Sequence, residues 1–383
     1  MSPAAPAVHV DPAPVPLDVP VIVFAFDRPD YLARVLASLR NQRGVGLDER
    51  RVFLLQDDAV SPRSGVRYAE EAALAASVAT FREHFPRGHV ARARGNLGIA
   101  RNIRRGEALA FEALDADCAY FFEDDLELGP DYLRMMDQLK AVARADPRVG
   151  YFAAYGDHMS AAPRTLARLM PLQHHWGFGL MREPWRRLRD WLAPYDAILE
   201  RSDYRMRDHL AVYRWMETLD VAINFSSQDA AKSVGCAALG IARVMTDVCF
   251  GRYIGARGQS FDEARFEQMG YAAMTWQEGA AYALNPEVTE DVTEVIVDRR
   301  AGYERYRRTK FDAFLADYTR THFDDDARAT EDDVRWFYRL LLGRTPDAAA
   351  LEAATGRQTV GSLRRALLES HEYRGRNAGV GGA

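Results

Sequence analysis

The sequence contains little cysteine, little lysine and no long apolar run. Its 383 residues include three widely spaced cysteines and no Cys-x-x-Cys pair, which argues against a disulfide framework and a cysteine-ligated zinc site. No apolar stretch approaches the roughly 18 residues of a membrane span, and the first twenty residues lack the basic start and apolar centre of a signal peptide. We therefore expect a cytoplasmic protein without a transmembrane segment.

The charge balance argues against a general nucleic-acid-binding surface. The chain has 50 basic and 55 acidic residues, for a net charge of −5, whereas such a surface requires a basic excess. Apolar residues make up 48% and charged residues 27%, as is typical of globular proteins. The length predicts two or three domains at about 150 residues each.

Short apolar runs alternate with amphipathic segments over the first 154 residues. The alternation is typical of βαβ units, so we predict an α/β fold with a mostly parallel sheet flanked by helices. The runs are almost wholly apolar, as expected for strands buried on both faces. The predicted strands are 21–26, 52–55, 88–90, 119–122 and 149–154, and the predicted helices are 31–39, 66–84, 99–114 and 130–145.

The rest of the chain divides by composition. Proline recurs through the first segment, which predicts a disordered tail. Beyond the main domain, one segment has the pattern of a strand or extended linker at 291–298 and of a helix at 303–318, and a compact helical segment follows it. The predicted divisions are a tail at 1–19, an α/β domain at 20–285, a linker at 286–325 and a helical domain at 326–377.

Three consecutive acids, Glu123, Asp124 and Asp125, follow the strand at 119–122. Ligands bind beyond the carboxyl ends of strands in open α/β sheets. Adjacent carboxylates repel one another unless a cation neutralises them, and Mg²⁺ binds one or two carboxylates together with phosphate oxygens. The triplet therefore predicts a metal–diphosphate site. The alternative is a solvated acidic turn that favours the dipole of the following helix.

Acids also follow two other strands, at Asp27-Arg28 and at Asp57-Asp58. An aspartate can accept from a base or a ribose hydroxyl, and Arg28 can face a diphosphate. Each aspartate alone is equally well explained as a helix N-cap. Because three strands of one sheet end in acids, in the order expected for a nucleotide cleft, we favour a binding role.

Two further segments could contribute to a site. The turn at 96–102 leads into a helix whose N-terminus and Arg101 could bind an anion, although capping by Asn96 explains it equally well. Asp229 lies near the start of a later helical stretch, where N-capping is the alternative role.

An aromatic segment with two glycines, 174–179, could approach a ligand closely. Trp176 and Phe178 could stack on a sugar face, and the glycines would allow the approach. His174 and His175 are adjacent and would point apart on a strand, which argues against a metal held by both.

Together these motifs resemble the catalytic domain of family 13 glycosyltransferases, the N-acetylglucosaminyltransferase I-like enzymes of GT-A fold, and the bacterial enzymes of family 2. The resemblance covers residues 20–160 well and is weaker over 160–285. It is carried by Asp27-Arg28 within 21–39, Leu55-Gln-Asp57, Ile99-Ala-Arg101, Phe122-Glu-Asp-Asp-Leu-Glu127 and Pro130-Asp-Tyr132.

The resemblance implies a nucleotide-sugar donor, with UDP-GlcNAc or a related UDP-sugar favoured, and Mn²⁺ or Mg²⁺ as cofactor. Asp125 would bind the metal, Asp124 the ribose and Asp57 the base. Glu123 would face the donor sugar, and Arg28 the base or phosphate. The whole implied donor site is Asp27, Arg28, Asp57, Arg101, Glu123, Asp124 and Asp125.

Asp229 matches the general base of bacterial relatives, which implies inverting transfer to a hydroxyl of a glycan or protein acceptor. Asp203, Asp208 and Asp220 are rival bases. Two positions depart from the pattern. Asn102 stands where family 13 has a histidine, and Gly258-Gln-Ser260 stands where many family 2 enzymes have Gly-x-His.

The C-terminal segment 334–373 resembles domain of unknown function 4214. Leu342-Gly-Arg-Thr-Pro-Asp347 predicts a tight turn between helices, with Leu351, Leu363 and Leu367 facing inward. The segment contains neither a metal cluster nor a nucleophile pair, so we expect a binding or docking role.

Two other functions fit parts of the pattern. A sugar-phosphate nucleotidyltransferase would need a glycine-rich loop after the first strand, where this chain has Asp27-Arg28-Pro29. A non-catalytic glycan-binding or scaffold protein with a degenerate transferase domain would explain the missing late histidine. The complete acidic triplet argues against such degeneration.

Overall fold

The computed structural model describes residues 14–159, 166–219, 221, 226–258, 262–276, 283–306 and 324–377. These residues form two compact units. The first comprises residues 14–208 and 227–301, and the second comprises 209–226 and 302–377.

The elements follow one another in βαβ order through the first unit. The strands are β1 (Val15–Pro16), β2 (Val21–Ala25), β3 (Val45–Gly46), β4 (Val52–Gln56), β5 (His89–Arg92), β6 (Cys118–Phe122), β7 (Leu126–Leu128), β8 (Val149–Ala153), β9 (Leu166–Ala167), β10 (Leu169–Pro171), β11 (Gly177–Met181), β12 (Ala242–Thr246), β13 (Gly251–Tyr253) and β14 (Ala283–Leu284). The helices are α1 (Pro29–Arg40), α2 (Glu71–His84), α3 (Gly98–Ala108), α4 (Tyr132–Ala145), α5 (Arg182–Leu199), α6 (His209–Glu217), α7 (Gln228–Leu239), α8 (Glu263–Gln268), α9 (Val288–Tyr306), α10 (Glu331–Phe337), α11 (Ala348–Ala354), α12 (Val360–Leu368) and α13 (His371–Asn377).

An eight-stranded sheet forms the centre of the first unit, in the order β10-β12-β8-β11-β6-β2-β4-β5. Strands β5, β4, β2 and β6 are mutually parallel, as are β8 and β12, while β11 runs antiparallel to both β6 and β8. All residues of β2, β4, β6 and β8 are buried, because helices cover both faces of such a sheet. The predicted α/β class and the five predicted strands are confirmed.

Helix α1 illustrates how the sequence positions the sheet's end. Pro29 opens the helix, where its missing N–H costs nothing and its φ suits the helical turn. Leu32, Val35, Leu36 and Leu39 recur at helical spacing and are each fully buried, so α1 packs on the sheet and fixes the loop that precedes it.

Three predicted segments differ from the structure. Residues 66–70 precede α2, which begins only at Glu71. The segment 291–298 lies within helix α9. Its β-branched residues suggested a strand, but Val292 and Val295 are buried at helical spacing, so tertiary packing overrides local propensity. Of the helix predicted at 303–318, residues 303–306 end α9 and the remainder lies outside the described residues.

The end of the predicted tail at 1–19 is ordered from residue 14. Strand β1 pairs in parallel with β3, and Leu17 and Val19 are 5% and 1% exposed. Lys140 forms an ion pair with Asp18, so burial and charge pairing together hold this segment. Residues 1–13 lie outside the described residues.

The glycines of β11 serve packing within the sheet. A Cβ on Gly179 would lie 2.2 Å from the ring of Phe152, and one on Gly177 would lie 2.4 Å from Leu126. The predicted close approach of this segment is therefore made to neighbouring core side chains, and a ligand is not needed to explain the glycines.

The second unit has its own small core in the C-terminal helices. Val334, Phe337, Leu363 and Leu367 are buried together, and Leu351 packs against them. Gly343 adopts φ +64° at the end of the preceding helical turn, which forms the predicted tight turn. The predicted inward-facing leucines are confirmed.

Among the helices of the described residues, none combines the length and hydropathy needed to cross a membrane. The three cysteines are buried free thiols, in agreement with the prediction that the chain has no disulfide framework.

Candidate functional site

The fold brings three acidic strand ends to one edge of the sheet. Strands β6, β2 and β4 are adjacent and parallel, so their carboxyl ends lie side by side. The residues that follow them are the acidic triplet, Asp27-Arg28 and Asp57-Asp58. These segments are up to 98 residues apart in sequence, and the parallel register alone makes them neighbours.

Arg28 binds the acidic triplet directly. Its Nη2 donates to Asp125 Oδ2 at 2.9 Å and to Asp124 Oδ1, and its Nε donates to Asp124 Oδ2 at 3.3 Å. The side chains of Asp124 and Asp125 are 7% and 6% exposed, while that of Arg28 keeps 25% of its surface exposed. A single partly accessible cation thus neutralises two buried carboxylates.

Burial dominates the electrostatics of the triplet. Burial raises the pKa of Asp124 to about 6, against the attraction of Arg28. Burial and the charges of Asp125 and Asp229 raise the pKa of Glu123 well above its usual range. Burial lowers the pKa of Arg28, but its two aspartates outweigh this effect and raise it. The site therefore has more negative charge than Arg28 balances.

The donor atoms fit a divalent cation that is shared with phosphate. Asp125 Oδ1 is buried and has no hydrogen-bond partner in the described part of the chain, whereas Oδ2 is occupied by Arg28. One free carboxylate oxygen suits Mn²⁺ or Mg²⁺ that takes its other ligands from phosphate and water. The described residues contain no group of three or more His, Cys, Asp or Glu side chains that could hold a metal alone.

Tyr253 on β13 was not predicted and encloses the same carboxylate. A Cβ on Gly255 would lie 2.3 Å from the Tyr253 hydroxyl and 2.8 Å from Asp125 Oδ2. Burial and the charges of Asp125 and Glu123 raise the pKa of Tyr253. Only the pairing of β13 with β7 brings Tyr253 beside the triplet, so no local signal in the sequence could have identified it.

Asp57 caps helix α3 across a loop. Its Oδ1 accepts the N–H of Leu97 at 2.8 Å and its Oδ2 accepts that of Gly98 at 2.9 Å. Burial raises the pKa of Asp57, although these backbone bonds act in the opposite direction. Asn96, the alternative cap, instead donates from Nδ2 to the Asp58 carbonyl. The capping role of Asp57 does not prevent contact with a base.

The prediction that Arg101 binds the donor is not supported by its position. Its Nη2 donates to the carbonyl oxygens of Leu199 and, at 3.1 Å, of Ser202, and its side chain is 13% exposed. The guanidinium therefore satisfies the C-terminal end of α5, because helix ends leave carbonyl groups without partners.

The predicted sugar-stacking role is wrong for Phe178 and is not available to Trp176 in this structure. Phe178 is 1% exposed and stacks on Phe121 in the core of the sheet. Trp176 is 7% exposed and stacks on His174 at 4.2 Å and on Tyr253 at 4.0 Å between ring centroids. Protein rings therefore cover these aromatic surfaces.

Asp229 lies in the first turn of α7 and faces a buried histidine. Its Oδ1 is 2.9 Å from His175 Nδ1, and 45% of the Asp229 side chain is exposed while 1% of His175 is. Burial raises the pKa of Asp229, but His175, Lys232 and Arg243 lower it to about 2. The carboxylate is ionised at neutral pH, and Ser227 rather than Asp229 caps the helix. The N-cap alternative for Asp229 is therefore wrong.

The rival bases have other roles or lie outside the described residues. Asp203 accepts hydrogen bonds from Ser61 Oγ at 2.6 Å, from Ser64 Oγ and from the Tyr68 hydroxyl at 2.7 Å, which makes it a structural anchor. Asp208 follows the first unit's last short helical turn, and Asp220 lies outside the described residues, as do positions 259 and 260 of the Gly258-Gln-Ser260 stretch.

The buried polar residues of α3 complete its contacts with the sheet. Asn102 Nδ2 donates to the Leu55 carbonyl at 3.2 Å, and its Oδ1 accepts from Arg105 at 2.8 Å. The position where family 13 has a histidine therefore joins α3 to β4.

A cavity of about 510 Å³ lies between α3, α5 and α7. Its lining includes the buried ion pair of Lys232 and Glu107, at 2.6 Å with both side chains 6% exposed. Trp185 Nε1 donates to the second oxygen of Glu107 at 3.2 Å. This cavity lies beside Gln228, the residue before Asp229.

Comparison with known proteins gives a family for the first unit. Residues 21–183 match the model of glycosyl transferase family 2, and none of the curated proteins matches the chain. Among solved structures, a mannosyltransferase from Pyrobaculum calidifontis in complex with GDP-Man and Mn²⁺ is similar with 14% identity and a TM-score of 0.39, over 96% of this chain and 85% of that one. S. aureus TarS 1-349 is similar with 13% identity and a TM-score of 0.35, over 94% and 92%.

The matched segment spans the acidic triplet, Asp27-Arg28, Asp57 and the α3 turn, which are the residues that carried the family 2 resemblance. Similarity to family 13 and to domain of unknown function 4214 is not shown by these comparisons and stays a prediction. Residues 21–183 form a glycosyl transferase family 2 domain of the GT-A fold, and the enzyme class of the protein is glycosyltransferase.

Proposed function

We propose that the protein is a metal-dependent, inverting glycosyltransferase that transfers a sugar from a nucleoside-diphosphate donor to a hydroxyl of a bacterial glycan or protein. The carrying observation is the arrangement of Arg28 on Asp124 and Asp125, with Asp125 Oδ1 left buried and without a partner. A UDP-sugar such as UDP-GlcNAc is the favoured donor.

The donor would lie across the ends of β6, β2 and β4. Asp125 Oδ1 and the diphosphate oxygens would hold Mn²⁺ or Mg²⁺, which when bound offsets charge on the departing nucleoside diphosphate. Arg28 keeps a quarter of its surface exposed, so it can also reach phosphate oxygens. Asp57 would accept from the base, and Asp27 and Asp124 would line the ribose side. Glu123, between the triplet and Asp229, would face the transferred sugar.

Asp229 would act as the general base. Its carboxylate is ionised and partly exposed, so it can accept the proton of the acceptor hydroxyl as that oxygen attacks the anomeric carbon. One C–O bond forms, the bond from the anomeric carbon to the phosphate oxygen breaks, and its electron pair leaves with the nucleoside diphosphate. A single displacement inverts the anomeric configuration.

Isothermal titration calorimetry tests the donor site. UDP, GDP and CDP, and then UDP-GlcNAc, would be titrated with Mn²⁺ and with EDTA. We expect one nucleotide to bind only with metal, and Asp125→Asn to abolish that binding. Asp203→Asn is the matched control, because it removes a carboxylate that is anchored outside the triplet. Metal-independent binding, or no binding of any nucleotide, would contradict the proposed donor site.

The transfer step needs its own readout. UDP release from UDP-GlcNAc should be lost in Asp229→Asn while metal-dependent nucleotide binding persists, because the base acts after the donor has bound. The anomeric proton of the product, followed by NMR, should show inversion. Full activity of Asp229→Asn would contradict its role as the base.

A further inference from the structure

The environment of Asp229 contains a closed ring of buried contacts that starts and ends on α7. Asp229 Oδ1 is 2.9 Å from His175 Nδ1. On the other side of the imidazole, Arg243 Nη2 lies 3.1 Å from His175 Nε2. Arg243 Nη1 then donates to Ser233 Oγ. Because Ser233 is four residues after Asp229, both lie on one face of α7.

The chemistry of arginine fixes the proton on His175. A guanidinium has only donors, so the Nε2 atom facing Arg243 must accept. A neutral imidazole with Nε2 as acceptor carries its proton on Nδ1. His175 therefore presents an N–H to Asp229, which is an acceptor only. No other distribution of protons on a neutral ring satisfies both contacts.

The surroundings hold this ring in place. His175 is 1% and Arg243 7% exposed. The imidazole meets the ring edges or faces of Tyr151 and Phe178 at 5.2 and 5.3 Å between centroids. Burial and Arg243 lower the pKa of His175 to about 4, against the attraction of Asp229, so the imidazole is neutral at pH 7.

We propose that Arg243 and His175 are positioning residues for transfer: Arg243 sets the Nδ1–H tautomer of His175, and His175 orients the Asp229 carboxylate toward the acceptor hydroxyl. This inference rests on the proposed function, because it needs Asp229 as the base. Oδ1 lies off the direction of the Nδ1–H bond in this structure. A small rotation of the partly exposed carboxylate completes the bond, and that rotation selects which oxygen faces the acceptor.

The first test reads the tautomer and needs no substrate. The ring nitrogens of histidine would be labelled with ¹⁵N, and His175 assigned among the nine histidines with His175→Gln. We expect a protonated Nδ1 and an unprotonated Nε2 at pH 7. Arg243→Met should shift the resonance toward Nε2–H or toward the charged ring, and Arg243→Lys, which retains a donor, should preserve Nδ1–H. An Nε2–H tautomer in the wild type, or an unchanged one in Arg243→Met, would overturn the proposal.

The second test reads catalysis through UDP release from UDP-GlcNAc. General-base catalysis contributes about 10²–10⁴-fold, and misorienting the base forfeits part of that. We expect kcat to fall roughly 10- to 100-fold in His175→Gln and Arg243→Met, with the KM for the donor unchanged and partial recovery in Arg243→Lys. Arg148→Met, which removes a surface guanidinium bound to Asp146, is the control.

The two tests separate the possible failures. The expected tautomer together with a fully active Asp229→Asn would refute Asp229 as the base and leave the buried ring without a catalytic role. Transfer that depends on Asp229 but is unchanged in Arg243→Met would refute the positioning role and leave the proposed function intact. A KM increase at constant kcat would also refute it, because that pattern reports lost binding rather than lost orientation.

Discussion

The buried pair of Lys232 and Glu107 allows a sharp prediction about stability. Both side chains are 6% exposed and their charged atoms are 2.6 Å apart. The Trp185 indole N–H occupies the second Glu107 oxygen. Lys232→Met removes the cation but leaves the carboxylate buried, and breaking a buried pair in this way costs about 3–5 kcal/mol. Whole proteins are stable by only about 5–15 kcal/mol, so the loss should be large.

Urea unfolding followed by tryptophan fluorescence measures this loss. The control is Arg186→Met on α5, whose pair with Glu183 is 50% and 73% exposed and should contribute under about 1 kcal/mol. The double variant Lys232→Met/Glu107→Leu should recover most of the stability, because an apolar pair of similar volume has no charge to solvate.

The competing effect is hydration of the cavity that both charged residues line. Water in a space of about 510 Å³ could solvate Glu107 once Lys232 is removed. A loss below about 1 kcal/mol in Lys232→Met would therefore refute the buried-pair reasoning and assign Glu107 to a water-filled site. A double variant less stable than Lys232→Met would refute it as well.

Three further predictions concern the loops and the histidine near the site. Gly156 has φ +77° and a Cβ there would lie 2.3 Å from the Val248 carbonyl oxygen, whereas Gly240 has φ +65° and open space; Gly156→Ala should cost well over the ~1 kcal/mol of Gly240→Ala in urea unfolding, and equal costs would contradict the steric argument. Asp57→Ala should lower stability by about 1–2 kcal/mol, because the N–H groups that open α3 lose their acceptor; an unchanged urea midpoint would show that solvent replaces it. The folded pKa of His175, about 4, lies below the ~6.5 of a free imidazole, so the unfolded chain binds the proton first and stability falls as pH drops between those values; His175→Gln should lose less stability between pH 7 and pH 5, and equal losses would contradict this origin.

Periodicity and composition were sufficient for the architecture of the sheet. Runs such as Val21–Ala25 and Cys118–Phe122 are apolar on both faces, and only a sheet covered by helices on both sides accommodates them. The acids that follow these runs then had to meet at one edge, because parallel strands share the direction of their carboxyl ends. Local pattern failed at α9, whose valines suit a strand and whose burial follows a helical face.

The roles of individual side chains required the tertiary structure. Phe178 has the composition of a sugar platform, but its position in β11 places it in the core. Arg101 follows a binding motif, and its direction toward the end of α5 depends on a helix some hundred residues later. The contacts that define the site, Arg28 with Asp124 and His175 with Asp229, join residues 96 and 54 positions apart.

The sequence by itself determined which residue types stand at the strand ends, because hydrophobic periodicity sets where each strand stops and which side chains follow it. The tertiary structure alone decided how those charges are paired, which carboxylate oxygen stays without a partner, and which nitrogen of His175 faces Asp229. These outcomes depend on distances of a few ångströms between segments far apart in the chain, and electrostatic and hydrogen-bond energies vary steeply over such distances.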